Sequence, residues 1–222
     1  MIKALIFDCY GTIISTGNTS VNGTKIILDN LKIDIDPILF YKDWKKIHRE
    51  NISNLKYFCK EKKIFINDLN ILFKMYDING NAKRFIKPML KSLYERYFFD
   101  DVIINLKKIK KDFNIYIASN SDTKPLMKNI GKEKYLFNGI YTSEKIKAYK
   151  PSKIFFEKIL KKIKFNKDEI LFIGDSIEDD IIGANNVGLK TVLIDRKNNF
   201  QYIKNEANYF IKDMYELMNI IK

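Results

Sequence analysis

The sequence contains few of the residues that build histidine- or cysteine-based catalytic sites. Its 222 residues include one histidine, His48, and two cysteines, Cys9 and Cys59. A single histidine excludes Ser-His-Asp catalysis and metal sites built on several histidines. Because no C-x-x-C spacing is present, we expect two thiols and no disulfide, with Cys9 a small buried hydrophobic residue. Basic residues surround His48 in the sequence, so we expect it on a solvated helix surface.

Long hydrophobic runs are also missing. No uninterrupted apolar segment approaches the roughly 20 residues that span a bilayer. The N-terminus has no charged segment followed by an apolar stretch and a small-residue cleavage site, which is the pattern of a secretory signal. We therefore expect a cytoplasmic protein without a membrane partner. With 46% hydrophobic and 14% aromatic residues, the chain can still bury a full core.

Positive charge is abundant, with a formal net charge of +13. A charge of this size can attract polyanions, so nucleic acid has to be considered. The lysines are spread through nearly every amphipathic segment, which indicates a lysine-rich background composition. We expect no nucleic-acid partner and a small anionic substrate, which a basic field helps to recruit. The sequence does not indicate an oligomeric state.

Strands and helices alternate from about residue 100 onward. Apolar runs bounded by polar residues predict strands, and apolar residues at helical spacing predict the segments between them. Pro151 is expected in the first turn of a helix whose buried stripe contains Ile154, Phe155, Ile159 and Ile163. This alternation predicts an α/β fold with a doubly wound parallel sheet. The expected strands cover residues 3–7, 114–119, 139–142, 169–175 and 191–195, and the expected helices include 101–112 and 213–221.

Residues 14–98 interrupt this alternation. They contain no convincing buried strand, and 37–58 and 69–76 have helical periodicity with aromatic residues. The polar, glycine-containing segment 15–23 is expected to be a loop or hinge. We therefore predict a core domain formed by residues 1–13 and 99–222, with an inserted α-helical cap over 14–98. Such caps exclude water and select substrates.

Polar side chains occur at the carboxyl ends of several predicted strands, where open α/β sheets place their active sites. Each has an ordinary structural explanation as a turn former, a helix cap or a solvated charge. Their joint occurrence, in this order, indicates one site with Asp8 as the nucleophile. The set consists of Asp8, Ser119 with Asn120, Lys150 ahead of a helix, and Asp175 with Asp179 and Asp180.

These residues belong to four motifs. The set resembles the haloacid dehalogenase-like (HAD) hydrolase superfamily, whose motifs read D-x-x-G-T, a strand-end Ser or Thr, a Lys, and G-D-x-x-x-D. The resemblance covers the whole predicted core and implies a Rossmann-like HAD fold. In this sequence the motifs are Asp8-Cys9-Tyr10-Gly11-Thr12, Ala118-Ser119-Asn120-Ser121-Asp122, Lys147-Ala148-Tyr149-Lys150-Pro151-Ser152, and Gly174-Asp175-Ser176-Ile177-Glu178-Asp179-Asp180.

The resemblance also implies roles for these residues. A carboxylate nucleophile forms an aspartyl intermediate, which divides one difficult displacement into two easier ones. Lys150 would neutralise charge on Asp8 and on the transferred group. We expect the anionic substrate to be bound by Ser119 and by Tyr10, Gly11, Thr12 and Asn120.

A magnesium site is part of the same resemblance. Asp8, the backbone carbonyl of Tyr10 and Asp175 match the family's metal ligands, and such hard oxygen ligands suit Mg²⁺. Asp180 would support this site. Helical spacing places it, rather than Asp179, on the same face as Ser176.

Tyr10 departs from the phosphatases of this superfamily, which usually have a second aspartate at this position. That aspartate protonates the leaving alcohol and later activates water. Tyrosine does this poorly at neutral pH, because its unperturbed pKa is about 10. The pattern D-x-Y-G-T instead resembles the 2-haloacid dehalogenases, whose halide leaves without a proton. The first motif therefore favours attack at carbon.

Asp175 favours the opposite conclusion. The dehalogenases work without metal and generally lack the pair Gly174-Asp175. They also have an arginine after a tryptophan of the cap, whereas here Trp44 is followed by Lys45. Without a metal, Asp8 and Asp175 would be neighbouring like charges, a costly arrangement unless one binds a proton. We therefore favour magnesium-dependent hydrolysis of a small phosphorylated metabolite.

Two alternatives stay open. One is metal-independent 2-haloacid dehalogenation, and the other is a catalytically impaired binding or regulatory protein. Within the phosphatase hypothesis, a substrate with a good leaving group, such as an acyl phosphate, needs little acid catalysis and suits Tyr10.

Overall fold

The computed structural model describes residues 1–198 and 206–221. Its strands are β1 (Ala4–Phe7), β2 (Ile14–Ser15), β3 (Tyr97–Phe98), β4 (Asn114–Ser119), β5 (Gly139–Thr142), β6 (Ile170–Gly174), β7 (Lys190–Ile194) and β8 (Tyr209–Ile211). Its α-helices are α1 (Thr19–Leu31), α2 (Pro37–Ser53), α3 (Glu61–Met75), α4 (Ala82–Phe85), α5 (Lys87–Ser92), α6 (Val102–Ile109), α7 (Thr123–Ile130), α8 (Ser143–Ile146), α9 (Lys153–Leu160), α10 (Gly183–Asn185) and α11 (Met214–Ile220). Short 3-10 helices cover Gly131–Leu136 and Lys167–Glu169, and a π-helix covers Ile177–Ile182.

The chain divides into two compact units. The first, the sheet unit, consists of Met1–Ser15, Tyr97–Thr123 and Ile130–Lys222, and the second, the helical unit, consists of Thr16–Arg96 and Lys124–Asn129. Within the described residues, no helix combines the length and apolar character needed to cross a membrane.

Six parallel strands form the main sheet, in the order β5-β4-β1-β6-β7-β8. This confirms the predicted α/β fold with a parallel sheet. Strand β1 lies inside the sheet, and all four of its residues are apolar and buried. It pairs with β4 on one side and β6 on the other, so that Phe7 aligns with Ile117 and Ile173. The strand order reverses at β1, which is where open α/β sheets form their ligand-binding crevice.

Helix α9 packs its aromatic face on this sheet. Phe155 and Phe156 are buried, and the ring of Phe156 lies 5.4 Å from that of Phe172 on β6. The prediction of Ile154 in the buried stripe is wrong, since this side chain is 56% exposed. The helix begins at Lys153, after Pro151 rather than with it. Successive residues of an α-helix are about 100° apart, so Ile154 and Phe156 lie on opposite sides of Phe155, and the core is on the side of Phe156.

The sheet unit also contains a feature that periodicity did not predict. Strands β2 and β3 form a two-residue antiparallel pair, with Ile14 opposite Phe98 and Ser15 opposite Tyr97. Strands of this length have no detectable alternation in sequence. The buried Cys9 lies shortly before this pair, and both Cys9 and Cys59 are thiols.

The helical unit has its own hydrophobic core, which includes Phe40, Trp44, Leu69 and Met89. The loop predicted over residues 15–23 is partly wrong, because α1 begins at Thr19 and includes the last five of them. A Cβ atom at Gly23 would lie 3.2 Å from the Cα atom of Met89. Gly23 therefore permits close packing of α1 on α5, a reason for a glycine that sequence alone does not distinguish from a turn.

His48 is not the solvated surface residue that we predicted. Its Nδ1 atom lies 2.6 Å from Oδ2 of the fully buried Asp68, and its ring stacks on Phe65 with centroids 4.5 Å apart. Asn51 donates from Nδ2 to the other oxygen of Asp68 at 2.6 Å. A buried carboxylate requires such partners. The sequence around His48 is rich in basic residues. Its partner Asp68 lies on the next helix, so local sequence did not predict this contact.

Candidate active site

Asp8 follows β1 directly and is buried. Its backbone N–H donates to the carbonyl of Ile173 at 2.8 Å, which continues the parallel pairing of β1 with β6 by one residue. The carboxylate is thus held at the carboxyl edge of the sheet, beside the point where the strand order reverses.

Lys150 joins Asp8 to a second carboxylate. Its Nζ atom lies 2.6 Å from Oδ1 of Asp8 and 2.5 Å from Oδ1 of Asp180, and the side chain is only 2% exposed. Burial alone would lower the pKa of Lys150, but the charges of Asp180 and Asp8 outweigh it and raise this pKa above its ordinary value. Lys150 is therefore a fixed cation at neutral pH.

The side chain of Asn120 holds the backbone of Lys150. Its Nδ2 atom donates to the Lys150 carbonyl at 3.0 Å, and the Lys150 N–H donates to its Oδ1 atom at 2.8 Å. Ser119, the last residue of β4, is buried and precedes Asn120. The prediction for Asn120 concerned substrate binding, and the structure adds a direct link from β4 to the lysine.

The turn after Asp8 contacts Asp175. The hydroxyl of Thr12 donates to Oδ1 of Asp175 at 3.1 Å. Gly11 has a φ of +99°, and a Cβ atom at this position would lie 2.2 Å from Oδ2 of Asp175. Only glycine combines this backbone conformation with so close an approach of a carboxylate. The Gly11–Thr12 turn therefore determines where the Asp175 carboxylate lies.

Asp180 lies in the π-helix that follows β6. Its Oδ2 atom accepts from the N–H of Ser176 at 3.1 Å, while its Oδ1 atom contacts Lys150. A Cβ atom at Gly174 would lie 2.4 Å from Cγ of Asp180, so the glycine makes room for this carboxylate. Asp180 is buried and bonded to Lys150. The preference for Asp180 over Asp179 as support for a metal site stays a prediction.

The carboxyl groups of Asp8, Asp175 and Asp180 each offer an oxygen within 4.8 Å of the others. Burial, together with the negative charge of Asp8, raises the pKa of Asp175 to about 7. Burial also raises the pKa of Asp180 well above its ordinary value, against the opposing effect of Lys150. Three carboxyl groups at this spacing repel one another, and a bound cation would relieve this repulsion.

Tyr10 lies between the nucleophile and the glycine of the turn and is half-buried. The turn is closed by hydrogen bonds from the N–H groups of Ile13 and Ile14 to the carbonyl of Cys9, at 3.0 and 2.8 Å. These bonds give Tyr10 a fixed backbone position two residues after Asp8.

Arg196 and Asp101 were not identified from the sequence. Nε of Arg196 donates to the carbonyl of Thr12 at 2.8 Å, and its Nη1 atom lies 3.1 Å from Oδ1 of Asp101. Arg196 follows the end of β7, as the predicted site residues follow the ends of their strands. Its position after a strand was the one sign in the sequence that Arg196 belongs to the site. Charged residues are common in this lysine-rich chain, so this sign did not distinguish Arg196 from its neighbours.

Residues 2–188 match the family model of the haloacid dehalogenase-like hydrolases. The chain belongs to this family. Over 116 residues this HAD-like hydrolase is 28% identical to pyrimidine 5'-nucleotidase PynA of Streptococcus pneumoniae, a match that covers 51% of the chain and 49% of PynA. The chain thus spans about half the length of this relative. It is also 23% identical to glyceraldehyde 3-phosphate phosphatase of Methanothermobacter thermautotrophicus over 205 residues, covering 87% of the chain and 86% of that enzyme.

Solved structures share the fold of this HAD-like hydrolase over its whole length. The HAD-hydrolase YfnB from Bacillus subtilis, bound to magnesium, has a TM-score of 0.85 at 21% identity, covering 99% of this chain and 98% of YfnB. The L-2-haloacid dehalogenase from Xanthobacter autotrophicus has a TM-score of 0.81 at 14% identity, covering 100% and 98%. Phosphatases and dehalogenases are therefore both among the proteins that this chain is similar to.

Proposed function

We propose that this HAD-like hydrolase is a magnesium-dependent phosphatase that acts on small phosphorylated metabolites through an aspartyl intermediate on Asp8. The observation that carries this proposal is the position of Asp175. Its carboxylate lies with those of Asp8 and Asp180, with oxygens within 4.8 Å of one another, and Thr12 and Gly11 fix it there. A site that attacked carbon without a metal would gain nothing from this second, half-buried carboxylate beside its nucleophile.

The donor set fits magnesium. Mg²⁺ prefers oxygen ligands, uses one or two carboxylates and keeps several waters. Asp8, Asp175 and the backbone carbonyl of Tyr10 would hold the ion. Asp180, which accepts from Lys150 and from the Ser176 N–H, would support the site. When bound, Mg²⁺ would stabilise negative charge that develops on the transferred phosphoryl oxygens.

Asp8 supplies the nucleophile. Its Oδ1 atom accepts from Lys150, which leaves Oδ2 as the oxygen that we assign to attack on phosphorus. The new bond joins Oδ2 to phosphorus, and the bond from phosphorus to the leaving oxygen breaks, giving an aspartyl phosphate and the free leaving group. Lys150 stays protonated and neutralises charge on Asp8 and on the phosphoryl group.

Water completes the reaction. It attacks phosphorus in the aspartyl phosphate, the bond from phosphorus to Oδ2 breaks, and Asp8 is returned as a carboxylate with inorganic phosphate as product. Asp180 and Asn120 act as positioning residues, since they hold the ammonium and the backbone of Lys150. Ser119 and the backbone N–H groups near it are assigned to the phosphoryl oxygens.

Tyr10 restricts the substrates that this site would use well. A tyrosine hydroxyl is a weaker general acid toward a leaving alcohol than a carboxyl group, because its unperturbed pKa is about 10. The leaving groups of acyl phosphates, and of other phosphates with acidic leaving groups, depart without a proton. We therefore propose these phosphates as the preferred substrate class. The helical unit would then serve as the cap that selects among such substrates.

Dehalogenation is the second candidate, and Tyr10 is the observation that favours it. In that reaction Asp8 would displace halide from carbon, and water would then attack the aspartyl ester. The helical unit contains Lys45, over the ring of Tyr41 at 5.4 Å, in place of an arginine after Trp44. The three-carboxylate arrangement favours the phosphatase over this alternative.

A substrate panel tests the proposal. The full-length protein is assayed with p-nitrophenyl phosphate and with L-2-chloropropionate, each with Mg²⁺ and with a chelator. We expect phosphate release that the chelator abolishes. Chloride release that is unaffected by the chelator would contradict the proposal and establish the second candidate. If neither substrate nor an acyl phosphate is turned over, the impaired binding protein becomes the better description.

Matched variants assign the effects to the site. Asp175→Asn should remove magnesium-dependent turnover, whereas Asp168→Asn, at an exposed aspartate of the same unit, should not. Asp8→Asn should abolish turnover, with mass spectrometry used to exclude deamidation back to aspartate.

A further inference from the structure

Arg196 connects three separate segments of the sheet unit. Its Nε atom donates to the Thr12 carbonyl at 2.8 Å, and its Nη1 atom donates to both oxygens of Asp101, at 3.1 and 3.2 Å. The guanidinium carbon also lies 4.0 Å from the centroid of the Phe99 ring. The side chain is 11% exposed, so the contacts are largely shielded from water. Shielding strengthens them relative to ion pairs on a protein surface.

Asp101 provides a fixed base for the guanidinium. Its Oδ2 atom accepts from the N–H of Met214 at 2.7 Å, at the start of α11. Its backbone carbonyl accepts from Nδ2 of Asn105 at 2.8 Å, within α6. One helix therefore holds the carboxylate of Asp101 and another holds its backbone. A guanidinium fork is the side chain best suited to reach both Asp101 and Thr12.

Thr12 contacts both Arg196 and the carboxylate of Asp175. Thr12 is fully buried, its carbonyl accepts from Arg196, and its hydroxyl donates to Oδ1 of Asp175. The neighbouring Gly11 lies against the other oxygen of Asp175, so a shift of this turn would displace the carboxylate. A continuous series of contacts thus runs from Asp101 through Arg196 and Thr12 to Asp175.

The arrangement is not the most stabilising one that the fold could use. Nη2 of Arg196 is buried and has no hydrogen-bond partner among the residues that the structure describes. A buried cationic donor without a partner costs free energy, and an apolar side chain packed on Phe99 would avoid that cost. The contact with the Thr12 carbonyl is what an apolar side chain could not supply.

We propose that Arg196 is a positioning residue for the divalent cation: it holds the Gly11–Thr12 turn so that the Asp175 carboxylate lies in place to bind the ion. This inference rests on the proposed magnesium-dependent function. It assigns to Arg196 an effect on metal affinity, while the nucleophile Asp8 and its partner Lys150 are held by other contacts. Loss of the guanidinium should therefore weaken magnesium binding more than it slows the chemical step.

Calorimetric titration of the full-length protein with Mg²⁺ tests this directly. Side chains that orient metal ligands typically contribute about 10- to 100-fold in metal affinity, and we expect Arg196→Ala to raise the magnesium Kd by that factor. Arg196→Lys, which keeps the charge but not the fork, should give a smaller loss of affinity. The rate with p-nitrophenyl phosphate at saturating Mg²⁺ should stay within a few-fold of the wild-type rate.

A control variant separates this effect from lost stability. Glu169→Gln removes the ion pair with Lys3, whose atoms lie 2.5 Å apart at the amino end of the sheet, and should leave the magnesium Kd unchanged. If Arg196→Ala does not fold, Arg196→Lys replaces it, since this variant removes the guanidinium fork that joins the Thr12 carbonyl to Asp101. An unchanged magnesium Kd in the folded variant overturns the inference. A wild-type protein that binds no Mg²⁺ overturns the proposed function itself, which keeps the two failures distinct.

Discussion

The ammonium of Lys150 lies 2.6 Å from Oδ1 of Asp8, in a part of the sheet unit that is closed to solvent. The same ammonium contacts Asp180, so one cation balances two buried carboxylates, with a third, that of Asp175, close by. This charge balance determines the stability of the site, its response to pH and its need for a further cation.

Lys150→Met should therefore affect both activity and stability. Removing one partner of a buried ion pair costs about 3–5 kcal/mol, because the remaining charge has no compensation. We expect the free energy of unfolding to fall by this amount at pH 8 and by less at pH 5, where Asp180, whose pKa is raised by burial, can bind a proton. We expect kcat to fall by at least about 100-fold, since charge on the phosphoryl group is no longer neutralised.

Lys153→Met is the matched control, because Lys153 is exposed and its contact with Glu157 is 3.6 Å long. Both variants are measured by chemical denaturation and by phosphate release. Equal effects of the two variants would contradict the role assigned to Lys150.

Magnesium binding should weaken as the pH falls below about 7, because the pKa of Asp175 is raised to about 7 and a proton competes with the metal. The sign for the metal-free protein follows from the same shift. The unfolded pKa of aspartate is about 3.9, so the folded state binds the proton more tightly. As pH rises from about 4 through about 7, the metal-free protein should lose stability.

Thermal unfolding at several pH values measures both effects. Relative to wild type, Asp175→Asn should show a smaller loss of Tm between pH 5 and pH 8 in the presence of chelator. Added Mg²⁺ should raise the wild-type Tm at pH 8 and do so much less at pH 5. A magnesium effect of equal size at both pH values would argue against Asp175 as a ligand.

Gly11→Ala should disturb the site beyond its cost in stability. Gly11 has a φ of +99°, and the new Cβ atom would lie 2.2 Å from the Asp175 carboxylate. Gly131→Ala is a close comparison, since Gly131 has a φ of +55° but no atom within 4 Å of an added Cβ. A left-handed conformation alone costs about 1–2 kcal/mol, which is what we expect for Gly131→Ala.

Only Gly11→Ala should also reduce magnesium affinity, as measured by calorimetry. A Gly131→Ala variant with the same loss of affinity would show that the effect is one of general stability.

Tyr10→Asp should increase turnover of alkyl phosphates. A carboxyl group at this position can protonate the leaving alkoxide, and general acid catalysis typically contributes about 100-fold or more. The gain should be much smaller with p-nitrophenyl phosphate or an acyl phosphate, whose leaving groups need no proton. Initial rates on this series, plotted against the pKa of the leaving group, measure the change. Tyr10→Phe should leave the slope unaltered if the tyrosine hydroxyl is no proton donor.

An unaltered slope in Tyr10→Asp would mean that leaving-group protonation is not what the site lacks. The substrate class proposed from Tyr10 would then be wrong, while the aspartyl mechanism could still hold.

The parallel sheet and the four motif positions could be predicted because they depend on local patterns. Buried strands such as β1 and β6 are continuous apolar runs, and an aspartate follows each of them at the same edge of the sheet. In a parallel sheet the carboxyl ends of the strands lie close together. Asp8, Lys150 and Asp175 could therefore be placed in one site before their contacts were known.

Contacts between distant segments could not be predicted in this way. Arg196 bonds to the carbonyl of Thr12 across 184 positions, and a backbone carbonyl leaves no mark in a sequence. Asp68 and His48 meet because two helices pack together, and neither residue is distinctive in its own helix. Gly23 was placed in a predicted loop, whereas in the structure it allows two helices to approach closely. Glycine is suited to both situations, so the sequence does not distinguish them.

The most direct test of the phosphatase account is a rapid acid quench during turnover of p-nitrophenyl phosphate, followed by mass spectrometry of the peptide that contains Asp8. We expect a phosphorylated Asp8 that forms with Mg²⁺ and is not formed with chelator. Turnover of the substrate with phosphate on another residue, or with equal labelling in chelator, would contradict it.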